Sequence, residues 1–178
     1  MDVTDHDLAR KAGKGDRAAF RHLLERHYAL LYRVAYRFLG NAAEAEDVAQ
    51  EVALVLASRI AGFDGRARFT TWLYQVTVNA CRDHVRRRAS IARMQSAFVD
   101  VAAAREADWA DSGARVRWLY RALDALDPAL KETALLVLAE ELSHAETGAI
   151  LGIKENTVSW RMHEVRKRLK TMVSESDD

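Results

Sequence analysis

The sequence predicts an all-helical protein built as two small domains joined by a linker. Three observations support this prediction. The chain contains only one proline and eight glycines, no alternation of apolar and polar residues persists, and apolar residues recur at intervals of three and four. With 49% apolar and 30% charged residues among 178, the composition is that of a globular protein with enough apolar material for a core.

The first domain, expected over residues 1–92, contains three predicted helices. The first is long and ends near Gly40, the second covers about 43–59, and the third covers about 70–91 after a loop at 61–68. Apolar spacing predicts an inner face for each helix. For the first helix this face is Phe20, Leu24, Tyr28, Leu31, Ala35, Phe38 and Leu39; for the second it is Val48, Val52, Val55 and Leu56; for the third it is Trp72, Leu73, Val76, Ala80 and Val85.

The second domain, expected over residues 114–178, follows a segment in which helical spacing fades. That segment, residues 93–113, is rich in Ala, Asp and Ser and is predicted to be a linker. Helical spacing restarts at Val116, Leu119, Tyr120 and Leu123. Asp127 and Pro128 then open a further helix, because proline fixes the first turn. Four helices are expected in this domain.

The last two helices form a predicted helix-turn-helix. Ser143 lies three residues before Glu146, which is the spacing of a capping box, and Gly152 allows the chain to turn. In the final helix one apolar stripe is predicted to be buried: Val158, Met162, Val165 and Leu169. The opposite face is polar and basic, as in helices that enter the major groove of DNA. The alternative interpretation is an ordinary solvated basic helix.

Charge is distributed unevenly along a chain whose formal net charge is only +1. A purely acidic stretch contains Glu44, Glu46, Asp47 and Glu51. Two basic clusters follow, one at 82–93 and one at 161–170. An acidic surface in addition to two basic ones indicates a protein partner as well as DNA.

Several classes of function lack support in the sequence. The single cysteine, Cys81, cannot form an internal disulfide, and Cys81 with His84 provides too few ligands for a zinc site. There is no His-Glu-x-x-His spacing and no glycine-rich phosphate loop. We therefore expect no enzymatic activity, no cofactor and no small-molecule substrate. The N-terminus does not resemble a signal peptide, and the longest apolar run is far below the roughly 18 residues of a membrane span. A cytoplasmic protein without membrane insertion is expected.

Three segments carry a resemblance to a known family. They are Asp47-Val-Ala-Gln50-Glu51, the loop and helix start from Phe63 to Trp72, and the run from Asn79 to Arg87. Together they resemble the second region of sigma-70-type initiation factors. Leu126-Asp127-Pro128 and the helix-turn-helix resemble the fourth region. Because the first and third regions are missing, the chain is similar to the small extracytoplasmic function (ECF) group, which binds core RNA polymerase and directs it to promoters.

This resemblance implies roles for the first domain. The polar face formed by Asp47, Gln50 and Glu51 would dock on the clamp-like coiled coil of the large polymerase subunit. Opening a promoter requires a base to leave the stack, at a cost of a few kcal/mol. For the capture of that base at the −10 element we predict loop residues Asp64, Gly65, Arg66, Ala67 and Arg68 together with Asn79. For the phosphates we predict Arg82, Arg86 and Arg87. Phe69 and Trp72 are more simply explained as core residues.

In the second domain the resemblance implies that the final helix reads the −35 element. The candidate residues are Thr157, Ser159, Trp160, Arg161, His163, Arg166 and Lys167. Two residues depart from the family pattern: Lys154 stands where a capping serine is common, and Trp160 is bulkier than the usual small residue. The base preference of a relative therefore cannot be transferred to this chain.

The resemblance also implies an anti-sigma factor that holds the two domains inactive until a stress signal arrives. Two other functions remain open. The chain could be a sigma-like decoy that titrates an anti-sigma factor, although such a decoy has no need for the arginines at 82, 86, 161 and 166. It could also be a stand-alone helix-turn-helix regulator that acts as a dimer, which fits the acidic face of the first domain poorly.

Overall fold

The structure, a computed structural model, describes residues 3–95 and 114–176. The chain divides into two compact units, Met1–Val99 and Asp100–Asp178. Within the described ranges all regular elements are helices, so the predicted all-α class is confirmed. The boundary between the units lies inside the predicted linker, 93–113, and positions 96–113 of that linker lie outside the described residues.

Over its described residues, 3–95, the first unit contains four α-helices: α1 (Asp5–Gly13), α2 (Arg17–Leu39), α3 (Ala42–Arg59) and α4 (Phe69–Gln95). A short 3₁₀ turn, Ile60–Gly62, follows α3. Helix α2 contacts each of the other three helices, and α3 also packs against α4. The apolar side chains of this unit therefore converge around α2.

Side-chain caps define the starts of the first three helices. Asp16 accepts hydrogen bonds from the amides of Ala18 and Ala19, both at 3.0 Å, and Asn41 accepts one from the amide of Glu44 at 2.9 Å. Such caps stabilise a helix by about 1 kcal/mol each. The same device, Thr4 accepting from the amide of Asp7, begins helix α1, which the apolar pattern did not predict.

Helix α4 buries a different face from the one predicted. Of the five residues expected inside, only Leu73 is buried, whereas Val85 is 50% exposed. The residues that are buried are Leu73, Tyr74, Thr77, Val78 and Cys81. Thr77 fits this apolar face because its hydroxyl donates a 2.8 Å hydrogen bond to the carbonyl of Leu73, one turn earlier.

A smaller difference concerns the inner face of α2. Its C-terminal half, from Leu31 to Leu39, is buried as expected, but Phe20 and Leu24 are only half-buried. Ala19 and Leu23 are buried in their place. A shift of one position turns each side chain by about 100° around the helix axis, so the predicted stripe was displaced by less than a third of a turn.

The second unit contains α5 (Ala114–Asp124), α6 (Pro128–Ala134), α7 (His144–Leu151) and α8 (Glu155–Ser176). Helix α6 starts with Asp127 at the N-cap and Pro128 in the first turn, as predicted, and continues into a wider π-helical turn, Leu135–Ala139. Both α6 and α7 pack against α8.

The helix-turn-helix has the predicted local structure. The Ser143 hydroxyl accepts from the amide of Glu146, and the Glu146 carboxylate accepts from the amide of Ser143 at 3.0 Å, so the capping box is closed. Gly152 ends α7 with a φ of 70°, a left-handed conformation that glycine adopts without strain. On α8, Val158, Met162 and Val165 are fully buried, and Leu169 is half-buried.

Candidate functional site

The outward face of α3 places two of the three predicted polymerase-binding residues in the open. Asp47 and Gln50 are exposed, and the Gln50 amide donates a 3.0 Å hydrogen bond to Glu46. One further turn along the same face lies Leu54, which is 74% exposed. Leu54 was not among the residues predicted for the inner face, but only polar side chains of the outward face were predicted as contacts, so its role there was missed. The face is therefore acidic and amide-bearing, with an apolar residue at its C-terminal side.

Glu51, the third predicted residue, is in a different situation. Its carboxylate accepts a 2.8 Å hydrogen bond from Arg87 of α4, and this contact raises the pKa of the Arg87 guanidinium above its ordinary value. A residue predicted to contact polymerase is thus paired with a residue predicted to contact DNA. The two predicted surfaces meet along the seam between α3 and α4.

A second contact group at the same seam involves Glu44. Its carboxylate accepts from Arg88 at 2.5 Å and lies 3.1 Å from Nε2 of His84. Like the Glu51 pair, this group joins residues about 40 positions apart in the chain. The acidic stretch of the sequence is therefore only partly a free surface, because Glu44 and Glu51 hold α4.

Glu46, the remaining acid of that stretch, contacts α2. The Tyr28 hydroxyl donates a 2.6 Å hydrogen bond to its carboxylate. That bond, supported by Gln50, lowers the pKa of Glu46. The same contact raises the pKa of the Tyr28 phenol to about 12, because ionisation would place two negative charges side by side.

The predicted base-capture loop, residues 64–68, lies directly before α4. Asp64 folds it by accepting from the amide of Arg66 at 3.0 Å. Gly65 adopts a φ of 72°, and the imidazole of His6 fills the space where a Cβ would project. The side chain of Arg66 is 89% exposed.

The N-terminal segment also contributes to this region. Thr4, Asp5 and His6 line an open depression together with the loop and the start of α4. Asp5 is fixed there by Arg26 at 2.6 Å and His27 at 2.8 Å. These contributions were missed because the sequence analysis assigned no element before Phe20. The capping pattern of Thr4 and Asp7 was the signal that could have found them.

An aromatic cluster supports the loop on its core-facing side. Phe63 contacts both Phe69 and Trp72, with ring centroids 5.4 Å apart in each case. Phe69 is buried, in agreement with the prediction that it is a core residue, whereas Trp72 is only half-buried. The loop is therefore anchored at both ends of residues 64–68, with its polar groups directed away from the core.

The remaining −10 candidates lie further along α4. Asn79 is ten residues beyond Phe69, which corresponds to about 15 Å of helix rise, so loop and amide are not adjacent. Its side-chain oxygen accepts from Arg82 at 3.1 Å. Arg86 pairs with Asp83 on the same helix, and Arg87 pairs with Glu51 as described above. The structure brings Asn79 and the three arginines together as one stripe of α4.

The outward face of α8 collects most of the −35 candidates. Trp160 is 63% exposed and lies opposite the fully buried Met162. Thr157 is half-buried. The other exposed candidates are Ser159, His163, Arg166 and Lys167. An apolar ring, a hydroxyl, an imidazole and two cations on one helix face are suited to contacts with bases and phosphates.

Arg161 differs from the sequence prediction. Its guanidinium turns toward α6, where it donates to the carbonyl of Ala129 at 3.4 Å and to the Thr133 hydroxyl at 3.3 Å. Arg168, another residue of the basic cluster at 161–170, pairs with Asp127 at 2.7 Å and with Glu164 at 3.1 Å. Both contacts raise the pKa of Arg168. These two arginines hold α8 on the rest of the unit.

His144, the first residue of α7, was not a candidate but lies beside the face of α8 that contains the −35 candidates. Its Nδ1 is 2.9 Å from Oγ of Ser159. Ser159 also approaches the carbonyl of Glu155 at 3.2 Å. Sequence reasoning had no means to find this contact, since the two residues are fifteen positions apart and on different helices.

Metal sites and membrane-spanning helices are two other features of interest. Among the residues that the structure describes, no group of three histidine, cysteine, aspartate or glutamate side chains could hold a metal ion. Over the same ranges, no helix has the length and hydropathy needed to cross a bilayer. Cys81 is buried.

Comparisons with known proteins agree with the resemblance. The chain matches the family model for sigma-70 region 2 over residues 23–91 and that for sigma-70 region 4 over residues 116–169. The ECF RNA polymerase sigma factor SigW of Bacillus subtilis is 30% identical over 96% of this chain and 97% of its own. SigM of Mycobacterium tuberculosis is 33% identical over 96% of this chain and 85% of its own. For SigE of Mycolicibacterium smegmatis the identity is 34% over 88% of this chain, which spans 63% of that relative's length.

Solved structures show the same architecture. CnrH, determined in complex with the cytosolic domain of CnrY, is 26% identical with a TM-score of 0.71, covering 96% of this chain and 97% of that one. The sigma factor RpoE of Bartonella quintana, at 18% identity and a TM-score of 0.69, covers 87% of this chain and 96% of its own and shares the fold. Two family models and relatives that match over nearly the full length give one answer: the chain belongs to the ECF RNA polymerase sigma factors of the sigma-70 family.

Proposed function

We propose that this chain binds core RNA polymerase and directs it to a particular set of promoters. Residues 1–92 would contact polymerase and open the −10 element, and residues 114–178 would read the −35 element, with 93–113 as the linker. The observation that carries the proposal is the face of α8, where Trp160 and its polar neighbours lie opposite a fully buried stripe, in a chain that matches both sigma regions. RNA synthesis itself belongs to the polymerase, and the cytoplasm is the expected location because polymerase and chromosome are there.

Transcription from fragmented DNA of its own genome tests this function. Sigma-free core polymerase is used with and without the chain, and the 5′ ends of the transcripts are sequenced. Discrete new starts that share two spaced upstream motifs are expected. Tight polymerase or anti-sigma binding without new starts would favour the decoy, and a dimer that binds DNA without polymerase would favour the stand-alone regulator.

For the polymerase contact we propose the α3 face that contains Asp47, Gln50, Glu51 and Leu54. Acidic and amide groups around one exposed leucine resemble the centre of many protein interfaces, where an apolar anchor is ringed by polar contacts. The apolar contact of Leu54 and the charge of Asp47 would act together. Since Glu51 already pairs with Arg87, its role includes fixing α4.

Matched charge reversals test this surface. Asp47→Lys and Leu54→Ser are expected to weaken binding to core polymerase at least tenfold, while Glu25→Lys, an equal charge change at an exposed position of α2, leaves it unchanged. Glu51→Lys also breaks the contact with Arg87, so Arg87→Ala is its control. Unchanged affinity for both Asp47→Lys and Leu54→Ser would exclude this face.

For the −10 element we propose that residues 64–68 and Asn79 receive bases and that Arg82, Arg86 and Arg87 hold phosphates. The support is their position on one edge of α4 and on the loop that precedes it. The ion pairs of Arg86 and Arg87 are exposed, and exposed pairs contribute little to stability because water and salt screen them. Phosphates can therefore replace their carboxylate partners at little cost.

Salt titration separates these two roles. Each of the substitutions Arg86→Gln and Arg87→Gln is expected to reduce the slope of log affinity against log salt concentration for promoter binding by about 1, which corresponds to the loss of one phosphate contact. Arg66→Ala is expected to leave binding intact and to reduce the reactivity of unpaired thymines with permanganate. Equal effects of all three substitutions on both readouts would contradict the division.

We also propose that an anti-sigma protein holds the chain inactive. CnrH, which resembles this chain over nearly its full length, was determined with the cytosolic domain of CnrY. The test uses a strain in which expression of the chain can be induced and a reporter gene is placed behind one of its target promoters. Reporter activity should stay low until expression of the chain exceeds a threshold, because the inhibitor must first be saturated. A response proportional to expression from the lowest level would argue against such an inhibitor.

A further inference from the structure

The contact between His144 and Ser159 determines what the serine can offer to DNA. Ser159 is exposed on the second turn of α8, and its Oγ has two protein neighbours: Nδ1 of His144 at 2.9 Å and the carbonyl oxygen of Glu155 at 3.2 Å. A serine hydroxyl carries one proton and two lone pairs. The position of that single proton decides whether the hydroxyl donates to a base or accepts from one.

Two proton arrangements satisfy these neighbours. In the first, the hydroxyl donates to the Glu155 carbonyl, and Nδ1–H of His144 donates to Oγ. In the second, the neutral ring carries its proton on Nε2, and the hydroxyl donates to Nδ1. A protonated imidazole permits only the first arrangement, because both of its nitrogens are donors. In both arrangements the hydroxyl proton is held within the protein, by the Glu155 carbonyl in the first and by His144 in the second, so Oγ presents only lone pairs outward.

Base edges in the major groove differ in this respect. Adenine and cytosine present exocyclic amino groups, N6 and N4, which donate hydrogen bonds, whereas guanine and thymine present only acceptors among their polar groups. An unconstrained serine can contact either kind of edge. We infer that His144 makes Ser159 selective for an adenine or a cytosine on the strand that α8 faces. His144 is then a positioning residue that sets a base preference from outside the recognition helix.

This inference rests on the proposed function, in which α8 reads the −35 element. The test uses the full chain with core polymerase on a promoter library whose −35 region is randomised, and it sequences the transcribed templates. The wild type is expected to select an element with one position restricted to adenine or cytosine on one strand. In Ser159→Ala the preference for adenine or cytosine at that position is expected to fall by about fivefold, which is the effect of one hydrogen bond, while the preferences at the other positions stay unchanged.

His144→Ala gives the discriminating result. With the imidazole removed, only the longer 3.2 Å contact with the Glu155 carbonyl holds the hydroxyl proton. The hydroxyl can then turn toward DNA, so the same position should admit guanine and thymine, with the restriction again relaxed by about fivefold. A merely structural loss would weaken all positions together. His22→Ala, which removes an exposed histidine of α2, is the matched control and should leave the whole element unchanged.

Three outcomes would overturn the inference. If Ser159→Ala changes no position, the serine does not read a base. If Ser159→Ala relaxes the base preference at a position where His144→Ala keeps it, the imidazole does not set that preference. If the wild type selects no upstream element at all, the proposed function fails and the inference fails with it, which separates this result from the other two.

Discussion

The two faces of α8 predict opposite effects from two large-to-small substitutions only two residues apart. Met162 is fully buried, whereas Trp160 is 63% exposed. Truncating a buried methionine to alanine costs about 2–5 kcal/mol, because apolar contacts are lost and a cavity remains. Truncating an exposed side chain usually changes stability by less than about 0.5 kcal/mol. Met162→Ala should therefore destabilise the second unit, and Trp160→Ala should not.

The size of the unit makes this contrast measurable. A unit of this length, Asp100–Asp178, has a stability of roughly 4–12 kcal/mol, so Met162→Ala removes a large part of it. With a urea dependence of about 1 kcal/mol per molar, the midpoint should fall by about 2 M or more. Hydrogen exchange of peptides from α7 and α8, followed against urea, reports on this unit separately from the first.

Function should change in the reverse order. At low temperature without urea, Trp160→Ala is expected to alter the selected −35 element, while any Met162→Ala protein that remains folded keeps the wild-type element. Equal destabilisation by both substitutions would refute the assignment of buried and exposed faces. It would also remove the basis for placing DNA at the face of Trp160.

Three further predictions follow from single contacts. Thr147 has a fully buried hydroxyl with no hydrogen-bond partner among the described residues, so Thr147→Val should raise the urea midpoint of the second unit, by about 1 kcal/mol in stability. Gly65→Ala should block promoter opening, measured by the permanganate reactivity of unpaired thymines, while helix content stays unchanged. The reason is that the added Cβ would collide with His6 and that residue 65 has a φ of 72°. Adding His6→Ala removes the collision but not the backbone strain, so it should restore opening only in part. The hydrogen bond from Tyr28 lowers the pKa of Glu46 from its ordinary value of 4.5. Its stabilisation is therefore present above pH 4.5 and lost as pH falls through the lowered pKa, and Tyr28→Phe should flatten that acid-side decline in urea midpoints measured between pH 3 and 6.

The sequence predicted best those features that depend on neighbouring residues. The capping box of Ser143 and Glu146, the turn at Gly152 and the proline at 128 are local signals, and each has its expected conformation in the structure. The stripe on α8 was also predicted because its apolar residues are large and its other face is strongly charged. In such a helix only one assignment of the buried face is consistent with the sequence.

Helix α4 shows where this reasoning fails. Its apolar residues are spread around the helix, so the pattern permits more than one buried face. The structure buries Thr77, which a hydropathy pattern ranks low, together with Cys81, and leaves Val85 half-exposed. The choice is made by packing against α2 and α3, and the hydrogen bond of Thr77 to its own helix makes the burial of a hydroxyl acceptable.

Side-chain pairing between helices was equally out of reach of the sequence. The contacts Glu51–Arg87 and His144–Ser159 join separate helices, and nothing in the local pattern marks either residue. Arg161 shows the consequence, since a basic residue on a predicted DNA-binding helix turns to α6 instead. Residue type and spacing could propose which side chains lie at the site, but only the fold decides which of them are available.

Ion pairing also limits how much of the basic charge on α4 is available to DNA. Arg86 and Arg87, two of the three arginines that we propose for phosphates, each contact a carboxylate of the same unit, so this stripe is partly neutralised in the isolated chain. Non-specific affinity for DNA depends on the number of phosphates that cations neutralise. A free chain with paired arginines is therefore expected to bind DNA weakly. Glu51, which pairs with Arg87, also lies on the proposed polymerase face. Polymerase that binds there would compete with Arg87 for the Glu51 carboxylate. Binding of polymerase would therefore release Arg87 and strengthen binding of the promoter.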